Sequence, residues 1–272
     1  MARVLIRGSG DVGSAVAHLL LRSGHDVVIH DVALPAAPRR GMAFADAIFD
    51  GACELEGVRA RRVDAPAELR DDAAGTVLVT TVAFERALAA VEPDVLVDAR
   101  MRKRARPEPQ RGLAPLTIGL GPNFVAGQTT DLAIETHWGD ELGAVVERGP
   151  TRPLGGEPRD FEGHARDRFI YAPVAGVLRT RAQIAQRVRA GEPVAAIGEQ
   201  QLRAPLDGIL RGLVHDGVPV DAGAKVLEVD PRGDVSKVTG VGARPARIAG
   251  GVLAAIASRR SHLDGGCHDR RR

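Results

Sequence analysis

The chain has 272 residues, and its 37 Lys and Arg residues are nearly balanced by 35 Asp and Glu residues. Charge therefore gives no reason to expect a nucleic-acid partner, which normally requires a basic surface. Hydrophobic residues make up 44% of the chain but aromatic residues only 3%, so its cores must be filled mainly by aliphatic side chains. The length suits two domains, because domains typically contain about 100 to 150 residues.

The cysteines and the apolar segments bear on the cellular compartment. Cys53 and Cys267 are too few for a disulfide framework, and neither lies in a metal-binding Cys pattern. No apolar run is long enough to span a bilayer, and the N-terminus lacks the basic region and cleavage site of a signal peptide. We therefore expect a cytoplasmic protein with no membrane partner and no metal site.

The N-terminal segment predicts a nucleotide-binding βαβ unit. Residues 2–7 predict a short strand that ends in the glycine-rich turn at 8–13, and apolar residues then recur at helical spacing until Gly24. Residues 27–30 predict a second strand, which Asp31 ends. Strand, G-x-G-x-x-G, helix, strand and terminal acid form the complete dinucleotide-binding fingerprint.

Each glycine of this turn has a physical role in that fingerprint. Gly8 allows the tight turn, Gly10 lets the backbone approach a pyrophosphate, and Gly13 lets the helix pack close to the strand. The helix N-terminus then presents N–H groups to an anion, and Asp31 would accept hydrogen bonds from a ribose diol. The predicted contacts are Gly8, Gly10, Asp11, Val12, Gly13 and Asp31. The alternative is that the glycines only make a tight turn.

Asp11 does not fit a simple phosphate site. It lies where a pyrophosphate would sit, and two anions so close repel each other unless a metal or a cationic side chain intervenes. Alternatively, Asp11 caps the helix, where the positive end of the dipole favours a carboxylate. Both interpretations remain open.

Further α/β elements follow the βαβ unit. The pattern predicts strands at 58–63, 76–80, 95–97 and 116–118 and a helix at 84–91. Ligands of parallel sheets collect at the carboxyl ends of strands, which places Asp98 and Arg100 near the predicted pocket. The second glycine-rich turn, with Gly119, Gly121 and Asn123, could cradle a phosphate or carboxylate. A purely structural Gly-Pro turn is the alternative.

Two arginine clusters are candidates for anion contacts. Arg39 and Arg40 follow the second strand, and Arg100 begins a run that continues to Arg106. Arginine suits bidentate contact with phosphate, but a solvated loop explains the second cluster equally well. The run has no interleaved aromatic residues, so it does not favour nucleic-acid binding.

Several stretches of the chain resemble the YqeB-like proteins, the selenium-dependent molybdenum hydroxylase system family. They are IRGSGDVGSAVAHLLLRSGHDVV, PRRGMAFADAIFDGACELEGV, VDARMRKR, IGLGPNFVAG, AIETHWGDELGAVV, RAPLDGILRGLVHDGVPVDAGAKVLEVDPRGD and ARIAGGVLAAI. The resemblance implies a cytoplasmic accessory protein that helps to mature molybdenum hydroxylases of the xanthine-dehydrogenase type. The turn is also similar to the GAGHVG-type turn of XdhC-like cofactor-insertion proteins, with Asp11 in place of His. This similarity implies a nucleotide-bearing ligand, either a dinucleotide or a pterin dinucleotide.

The resemblance also implies site residues. The family pattern matches this sequence at Gly8, Gly10, Asp11, Arg39, Arg40, Asp98, Arg100, Lys103, Gly119, Gly121, Glu135 and His137. Of these, Lys103, Glu135 and His137 would form a polar pocket. The family turn commonly reads Asp-Leu-Ala-Thr-Gly where this chain has Asp-Val-Gly-Ser-Ala at 11–15, and Gly13 restores the ordinary dinucleotide spacing.

The second half of the chain contains a duplicated unit. Ala172, Pro173 and Gly176 begin a pattern that recurs from Ala204, and such Val-rich, Pro/Gly-punctuated copies predict a two-fold β module in which neither half buries its apolar face alone. The module resembles biotinyl and lipoyl barrel-sandwich hybrids. Their carrier lysine is absent from the connecting hairpin at 198–203, so no swinging arm is expected.

We therefore predict an α/β protein with a Rossmann-like doubly wound parallel sheet followed by an all-β barrel-sandwich hybrid. The predicted divisions are a nucleotide-binding domain at 1–147, a linker zone at 148–168, the β module at 169–235, a helical region at 236–257 and a disordered basic tail at 258–272.

Three functions are compatible with these features. The first is a nucleotide-binding accessory factor whose partner is a molybdenum hydroxylase subunit or another maturation protein. The second is an NAD-dependent oxidoreductase, which needs an acid/base group such as His137 or Glu135, although no catalytic spacing is recognisable. The third is a non-catalytic docking protein, and a homo-oligomer is compatible with each.

Overall fold

The computed structural model describes residues 1–70, 73, 75–102, 105–153 and 158–265. They form a mixed α/β protein with a mostly parallel nine-stranded sheet in the N-terminal part and small antiparallel sheets in the C-terminal part. The N-terminal strands are β1 (Arg3–Arg7), β2 (Asp26–His30), β3 (Ala52–Leu55), β4 (Val58–Arg62), β5 (Val77–Thr80), β6 (Val95–Asp98), β7 (Leu116–Leu120), β8 (Val125–Ala126), β9 (Leu132–Ile134), β10 (Val145–Val146) and β11 (Gly149–Pro150). The helices of this part are α1 (Asp11–Arg22), α2 (Asp46–Asp50) and α3 (Phe84–Val91).

The C-terminal part consists of short strands followed by one long helix. The strands are β12 (Phe169–Tyr171), β13 (Gly176–Thr180), β14 (Arg187–Val188), β15 (Pro193–Ile197), β16 (Gln200–Arg203), β17 (Gly208–Leu213), β18 (Pro219–Val220) and β19 (Lys225–Asp230). The helix is α4 (Ala243–Gly265). The strands and the helix predicted in the N-terminal part are confirmed to within two residues at each end.

The nine-stranded sheet has the order β10-β9-β7-β6-β1-β2-β5-β4-β3, so the succession of strands reverses at β1. β1 pairs in parallel with β2 on one side and with β6 on the other. Val4, Leu5 and Ile6 of β1 are all buried, as expected for a parallel strand covered on both faces. The loops that leave the carboxyl ends of β1 and β6 border one crevice, where ligands of such sheets bind.

Helix α4 returns to the nine-stranded sheet after the C-terminal strands. Its residues Ile248, Val252 and Ile256 share one buried apolar cluster with Val16 and Leu20 of α1. The core of the N-terminal sheet therefore includes side chains of α4.

The bounds of α4 differ from the predicted helical region at 236–257. The helix begins at Ala243 and continues to Gly265, because residues 258–264 contain no glycine or proline to stop it. Residues 266–272, which belong to the predicted tail, lie outside the described residues, as do residues 154–157 of the predicted linker zone. In the described part of the chain, no helix combines the length and apolar character required to cross a membrane.

The strands at 169–230, here called the β unit, form two four-stranded sheets with the orders β12-β19-β17-β14 and β16-β15-β13-β18. Each strand of the first copy, β12 to β15, has an equivalent about 32 residues later in the second copy, β16 to β19. For example, Gly176 at the start of β13 corresponds to Gly208 at the start of β17. Each sheet contains strands of both copies, since β13 pairs with β18 and β14 pairs with β17. Equivalent residues such as Leu178 and Leu210 lie in one buried cluster.

Candidate functional site

The turn between β1 and α1 is packed closely at two glycines and open at the third. A Cβ atom on Gly13 would lie 2.0 Å from the carbonyl oxygen of Gly8, so only glycine lets α1 approach the turn this closely. Gly8 has a φ of +109°, and a Cβ there would lie 3.0 Å from the carbonyl oxygen of Ala99. No heavy atom lies within 4 Å of a Cβ built on Gly10. The turn therefore has free space at Gly10.

The N-terminus of α1 faces this space without a side-chain cap. Gly10 is the N-cap residue, and no side chain among the described residues makes a capping hydrogen bond there. The first N–H groups of a helix have no intrahelical partners, and the helix dipole adds a partial positive charge. Asp11 is the first residue of the helix and not its N-cap, and it lies in the first turn, where the helix dipole favours a carboxylate.

Asp31 holds the backbone of the glycine-rich turn. Its Oδ2 atom accepts hydrogen bonds from the backbone N–H and the hydroxyl of Ser9, both at 2.7 Å. Its Oδ1 atom accepts from the N–H of Val32 at 2.8 Å. The carboxylate therefore lies beside the turn at the end of β2, as the sequence predicts, and its hydrogen bonds hold the turn. A ribose contact by Asp31 stays a prediction.

Arg39 links the turn to the β unit. Its Nη1 atom donates to Asp11 Oδ2 at 2.9 Å, and its Nε atom donates to Glu228 Oε2 at 3.0 Å. Arg39 is thus the cationic side chain that Asp11 requires. Burial would raise the pKa of Asp11, but the charge of Arg39 holds that pKa below its ordinary value.

Glu228 is the centre of a buried ion-pair network, here called the junction cluster: Asp11, Arg39, Arg168, Arg211, Lys225 and Glu228. The Glu228 carboxylate has 0% exposure, accepts a hydrogen bond from Lys225 Nζ at 2.7 Å and pairs with Arg168. Arg211 Nε lies 3.3 Å from Glu228 Oε1. Burial would raise the pKa of Glu228, but Arg39 and Lys225 hold it well below its ordinary value.

Aromatic rings pack against two cations of the junction cluster, Arg168 and Lys225. The guanidinium of Arg168 lies 4.3 Å from the ring centroid of Phe161 and 4.5 Å from that of Phe169. Lys225 Nζ lies 4.3 Å from the centroid of Phe169. Burial, together with the charge of Arg39, lowers the pKa of Lys225 to about 8.

Asp98 and Arg100 form a second ionic group at the end of β6. Arg100 Nε donates to Asp98 Oδ1 at 3.0 Å, and Arg100 Nη2 lies 2.6 Å from Glu108 Oε1. Gln110 donates to the buried Asp98 carboxylate at 2.5 Å, and Arg7 pairs with Glu108 at 2.8 Å. The guanidinium of Arg100 is therefore held by two carboxylates of the chain itself.

The second glycine-rich turn is filled by side chains of the chain. A Cβ atom on Gly119 would lie 2.1 Å from the ring of Phe124. The carbonyl oxygen of Gly121 accepts a hydrogen bond from Thr151 Oγ1 at 2.7 Å, and the side-chain amide of Asn123 donates to a backbone carbonyl. These contacts favour the structural interpretation of this turn.

The remaining predicted residues are engaged in local contacts. The buried carboxylate of Glu135 accepts three backbone hydrogen bonds, from Thr136, His137 and Arg152, at 2.7, 2.7 and 2.8 Å. His137 Nδ1 lies 2.7 Å from the carbonyl oxygen of Trp138.

Arg40 and Lys103 complete the predicted set. Arg40 pairs with Asp46 at 2.9 Å and donates to the carbonyl oxygen of Leu213, also at 2.9 Å. Lys103 lies outside the described residues. Within the ranges that the structure describes, no group of three or more His, Cys, Asp or Glu side chains could hold a metal ion.

The structure thus brings Asp11, Asp31 and Arg39 together at the glycine-rich turn and places Asp98 and Arg100 in a separate ionic group. Sequence reasoning missed Glu228 as a partner of Arg39, because the two residues lie far apart in the chain and no local pattern links them. One feature of the sequence could have drawn attention to this region: Lys225, three residues before Glu228, is one of only three lysines in an arginine-rich chain.

The fold and the site define a mixed α/β protein whose glycine-rich βα turn is joined by ion pairs to a C-terminal β unit. The chain is a homologue of an uncharacterized protein, YqeB, of Escherichia coli (strain K12), which confirms the resemblance to YqeB-like proteins. The two are 38% identical over 254 residues, which cover 93% of this chain. The match covers 47% of the relative, so the chain spans about half of its length. No protein-family model matches the chain.

Solved structures give only distant matches. The ectoine utilization protein EutE (DoeB) from Ruegeria pomeroyi, in its product-bound form, is 11% identical with a TM-score of 0.22, covering 84% of this chain and 52% of that one. A succinylglutamate desuccinylase/aspartoacylase from Rhodobacter sphaeroides is 18% identical with a TM-score of 0.26, covering 86% of each chain. TM-scores this low do not establish a shared fold.

Proposed function

We propose that this chain binds a phosphate-bearing nucleotide at the turn between β1 and α1 and acts in the cytoplasm as an accessory factor in the maturation of molybdenum hydroxylases. The observation that carries the nucleotide proposal is the uncapped N-terminus of α1 beside the open space at Gly10. A helix N-terminus reached through a glycine-rich turn is a favourable place for a phosphate group.

The arrangement of the strands supports the same proposal. The central order β5-β2-β1-β6-β7 is that of a Rossmann-like doubly wound sheet, in which dinucleotides bind where the strand succession reverses. We infer further that the two interleaved sheets of the β unit form a barrel-sandwich hybrid without a carrier lysine. The position of Lys225 supports this view. It is the first residue of β19 and its Nζ atom donates to Glu228, so it does not lie on an exposed hairpin as a carrier lysine would.

The molybdenum part of the proposal depends on the resemblance to the YqeB-like and XdhC-like families. A pterin dinucleotide, like NAD, would provide a pyrophosphate for the turn and a ribose for Asp31. The resemblance to the two families is what favours the pterin dinucleotide as the ligand class. A hydroxylase subunit or another maturation protein would be the partner. Handling or insertion of the molybdenum cofactor would be the corresponding activity.

The main alternative is an NAD-dependent oxidoreductase, which needs an acid/base group near the nicotinamide. His137 and Glu135 are the candidates for this role. The oxygens of Glu135 accept three backbone hydrogen bonds, which favour a structural role for this carboxylate. His137 Nδ1 lies 2.7 Å from the carbonyl oxygen of Trp138. A docking protein without a ligand is the second alternative, and a binding experiment decides between them.

Isothermal titration of the purified protein with NAD, ATP, CTP and inorganic pyrophosphate tests ligand binding. We expect binding of pyrophosphate and a cytidine nucleotide, and we expect Gly10→Val to weaken it at least about tenfold. The open space at Gly10 lets the variant fold, and Gly250→Ala serves as a control because a Cβ there also meets no atom within 4 Å. Binding of NAD with hydride transfer would support the dehydrogenase, and no binding at all would support the docking protein.

Co-purification tests the accessory role separately. A tagged chain should retain a molybdenum hydroxylase subunit from a strain that expresses one, and deletion of its gene should lower the molybdenum content of that hydroxylase. Fully loaded, active hydroxylase in the deletion strain would contradict the role in maturation and leave nucleotide binding intact. The elution volume of the purified chain would also show whether it is a homo-oligomer.

A further inference from the structure

We propose that the phosphate site is composite and that Lys225 of the β unit binds the phosphate opposite the N-terminus of α1. This inference rests on the proposed nucleotide binding and assigns part of the ligand site to the C-terminal half of the chain. The ligand class is a polyanion with at least two neighbouring negative charges, of which inorganic pyrophosphate is the simplest example.

The first argument is the short path from Lys225 to the glycine-rich turn. Lys225 Nζ and Arg39 Nε both donate to Glu228 Oε2, at 2.7 and 3.0 Å, so the two cations are neighbours. Arg39 in turn donates to Asp11, the first residue of α1. Two side chains, Glu228 and Arg39, therefore connect the lysine to the first residue of α1.

The second argument is access from solvent. The side chains of Asp11, Arg39 and Lys225 are 22%, 26% and 25% exposed, whereas those of Glu228 and Arg168 are 0% and 2% exposed. The first three residues form a rim that a ligand can reach, and the other two lie behind it. Lys225 is thus positioned to exchange part of its contact with Glu228 for a phosphate oxygen.

The third argument is the excess of positive charge. Four cations of the junction cluster, Arg39, Arg168, Arg211 and Lys225, surround Glu228. The other carboxylate of the cluster is Asp11, and Arg211 also pairs with the buried Asp230 at 3.2 Å. Asp230 pairs in turn with Arg232 at 2.6 Å. With these two residues included, five cations face three carboxylates, so the group carries more positive than negative charge. Buried cations without matching anions are costly, and a phosphate group would supply the missing negative charge.

An unpaired buried atom and a perturbed lysine agree with this excess. In the part of the chain that the structure describes, the Nε–H of Arg168 is buried and has no hydrogen-bond partner. Burial, together with the charge of Arg39, lowers the pKa of Lys225 to about 8 despite its contact with Glu228. A bound polyanion would add negative charge beside Lys225 at the exposed end of the cluster.

The chain offers a direct test because it contains only three lysines, Lys103, Lys225 and Lys237. The wild-type protein is acetylated with acetic anhydride at pH 8, with and without inorganic pyrophosphate, and each lysine is quantified by peptide mass spectrometry. We expect pyrophosphate to slow acetylation of Lys225 at least about fivefold and to leave Lys237 unchanged. Lys237 is the internal control, since its side chain is 53% exposed and pairs with Asp234 at 3.9 Å.

Variants of Lys225 show whether this lysine contacts the ligand or is only covered by a ligand that binds nearby. We expect Lys225→Met to weaken pyrophosphate binding at least about tenfold by calorimetry, Lys225→Arg to retain most of it, and Lys237→Met to have no effect. Thermal unfolding of each variant confirms that it is folded.

The outcomes distinguish this inference from the proposed function. If pyrophosphate or a nucleotide binds the wild type but Lys225 is not protected, or if Lys225→Met is folded and binds equally well, the composite site is refuted and nucleotide binding remains. If neither pyrophosphate nor any nucleotide binds, both proposals are refuted.

Discussion

Replacing Glu228 by glutamine removes the negative charge at the centre of the junction cluster while keeping the shape of the side chain. Glu228 is fully buried and pairs with Arg39, Arg168 and Lys225, so the substitution leaves these cations without their common partner. Breaking a buried ion pair in this way typically costs about 3 to 5 kcal/mol. We expect a loss of that size in the free energy of unfolding, measured by urea denaturation at pH 7.

The pH dependence gives the same experiment a second readout. The pKa of Glu228 is lowered in the folded state, so its contribution to stability is present above the ordinary value of 4.5 and is lost as the pH falls toward the folded-state pKa. The difference between wild type and Glu228→Gln should therefore shrink below pH 4.5. Asp234→Asn is the matched control, because its pair with Lys237 at 3.9 Å is exposed to solvent, and we expect this substitution to leave the stability nearly unchanged. A loss below about 1 kcal/mol for Glu228→Gln, or no pH dependence, would refute the central role of this carboxylate.

Three further predictions concern residues of the N-terminal sheet. Gly13→Ala should cost about 1 to 3 kcal/mol or more in a urea titration, because its Cβ would lie 2.0 Å from the carbonyl oxygen of Gly8. Ser14→Ala should cost about 1 to 3 kcal/mol, since Ser14 Oγ accepts the buried N–H of Phe44 at 2.8 Å. Burial raises the pKa of the Cys53 thiol to about 11, so alkylation of Cys53 by iodoacetamide, followed by peptide mass spectrometry, should be slow at pH 8 and accelerate as the pH approaches 11.

These predictions have clear contrary results. An unchanged urea midpoint for Gly13→Ala would show that α1 can move away from the turn, and Gly250→Ala provides the comparison with a glycine in open space. An unchanged midpoint for Ser14→Ala would mean that water replaces the hydroxyl. Rapid alkylation of Cys53 at pH 8 would contradict its burial.

The local parts of the fold could be predicted because they depend on neighbouring residues. The glycine-rich turn needs Gly8 and Gly13 for close packing, and β1 needs a continuous apolar run, so both leave a pattern in the sequence. The duplicated β unit was also predictable, since its two copies repeat the same spacing of Pro, Gly and Val. These features are set by contacts within about 30 residues or by repetition.

The site could be predicted only in part, because ion pairs between distant segments leave no local pattern. Arg39 was identified as an anion contact, but its anions in the structure are Asp11 and Glu228. The family resemblance implies a place for Glu135 in a polar pocket, and in the structure three backbone N–H groups donate to its carboxylate. The chemistry of a side chain indicates which groups it can bind. Tertiary packing decides whether such a group comes from the protein itself or is left for a ligand to supply.

The exchange of strands between the two copies of the β unit has a consequence for assembly. A peptide with only one copy holds β13 but not the β18 that borders it, and it could complete both sheets only by pairing with a second identical peptide. Joining the copies in tandem turns that association of two molecules into a contact within one chain, so formation of the sheets no longer depends on protein concentration. Severing the chain between the copies should make the fold of this region dilution-sensitive.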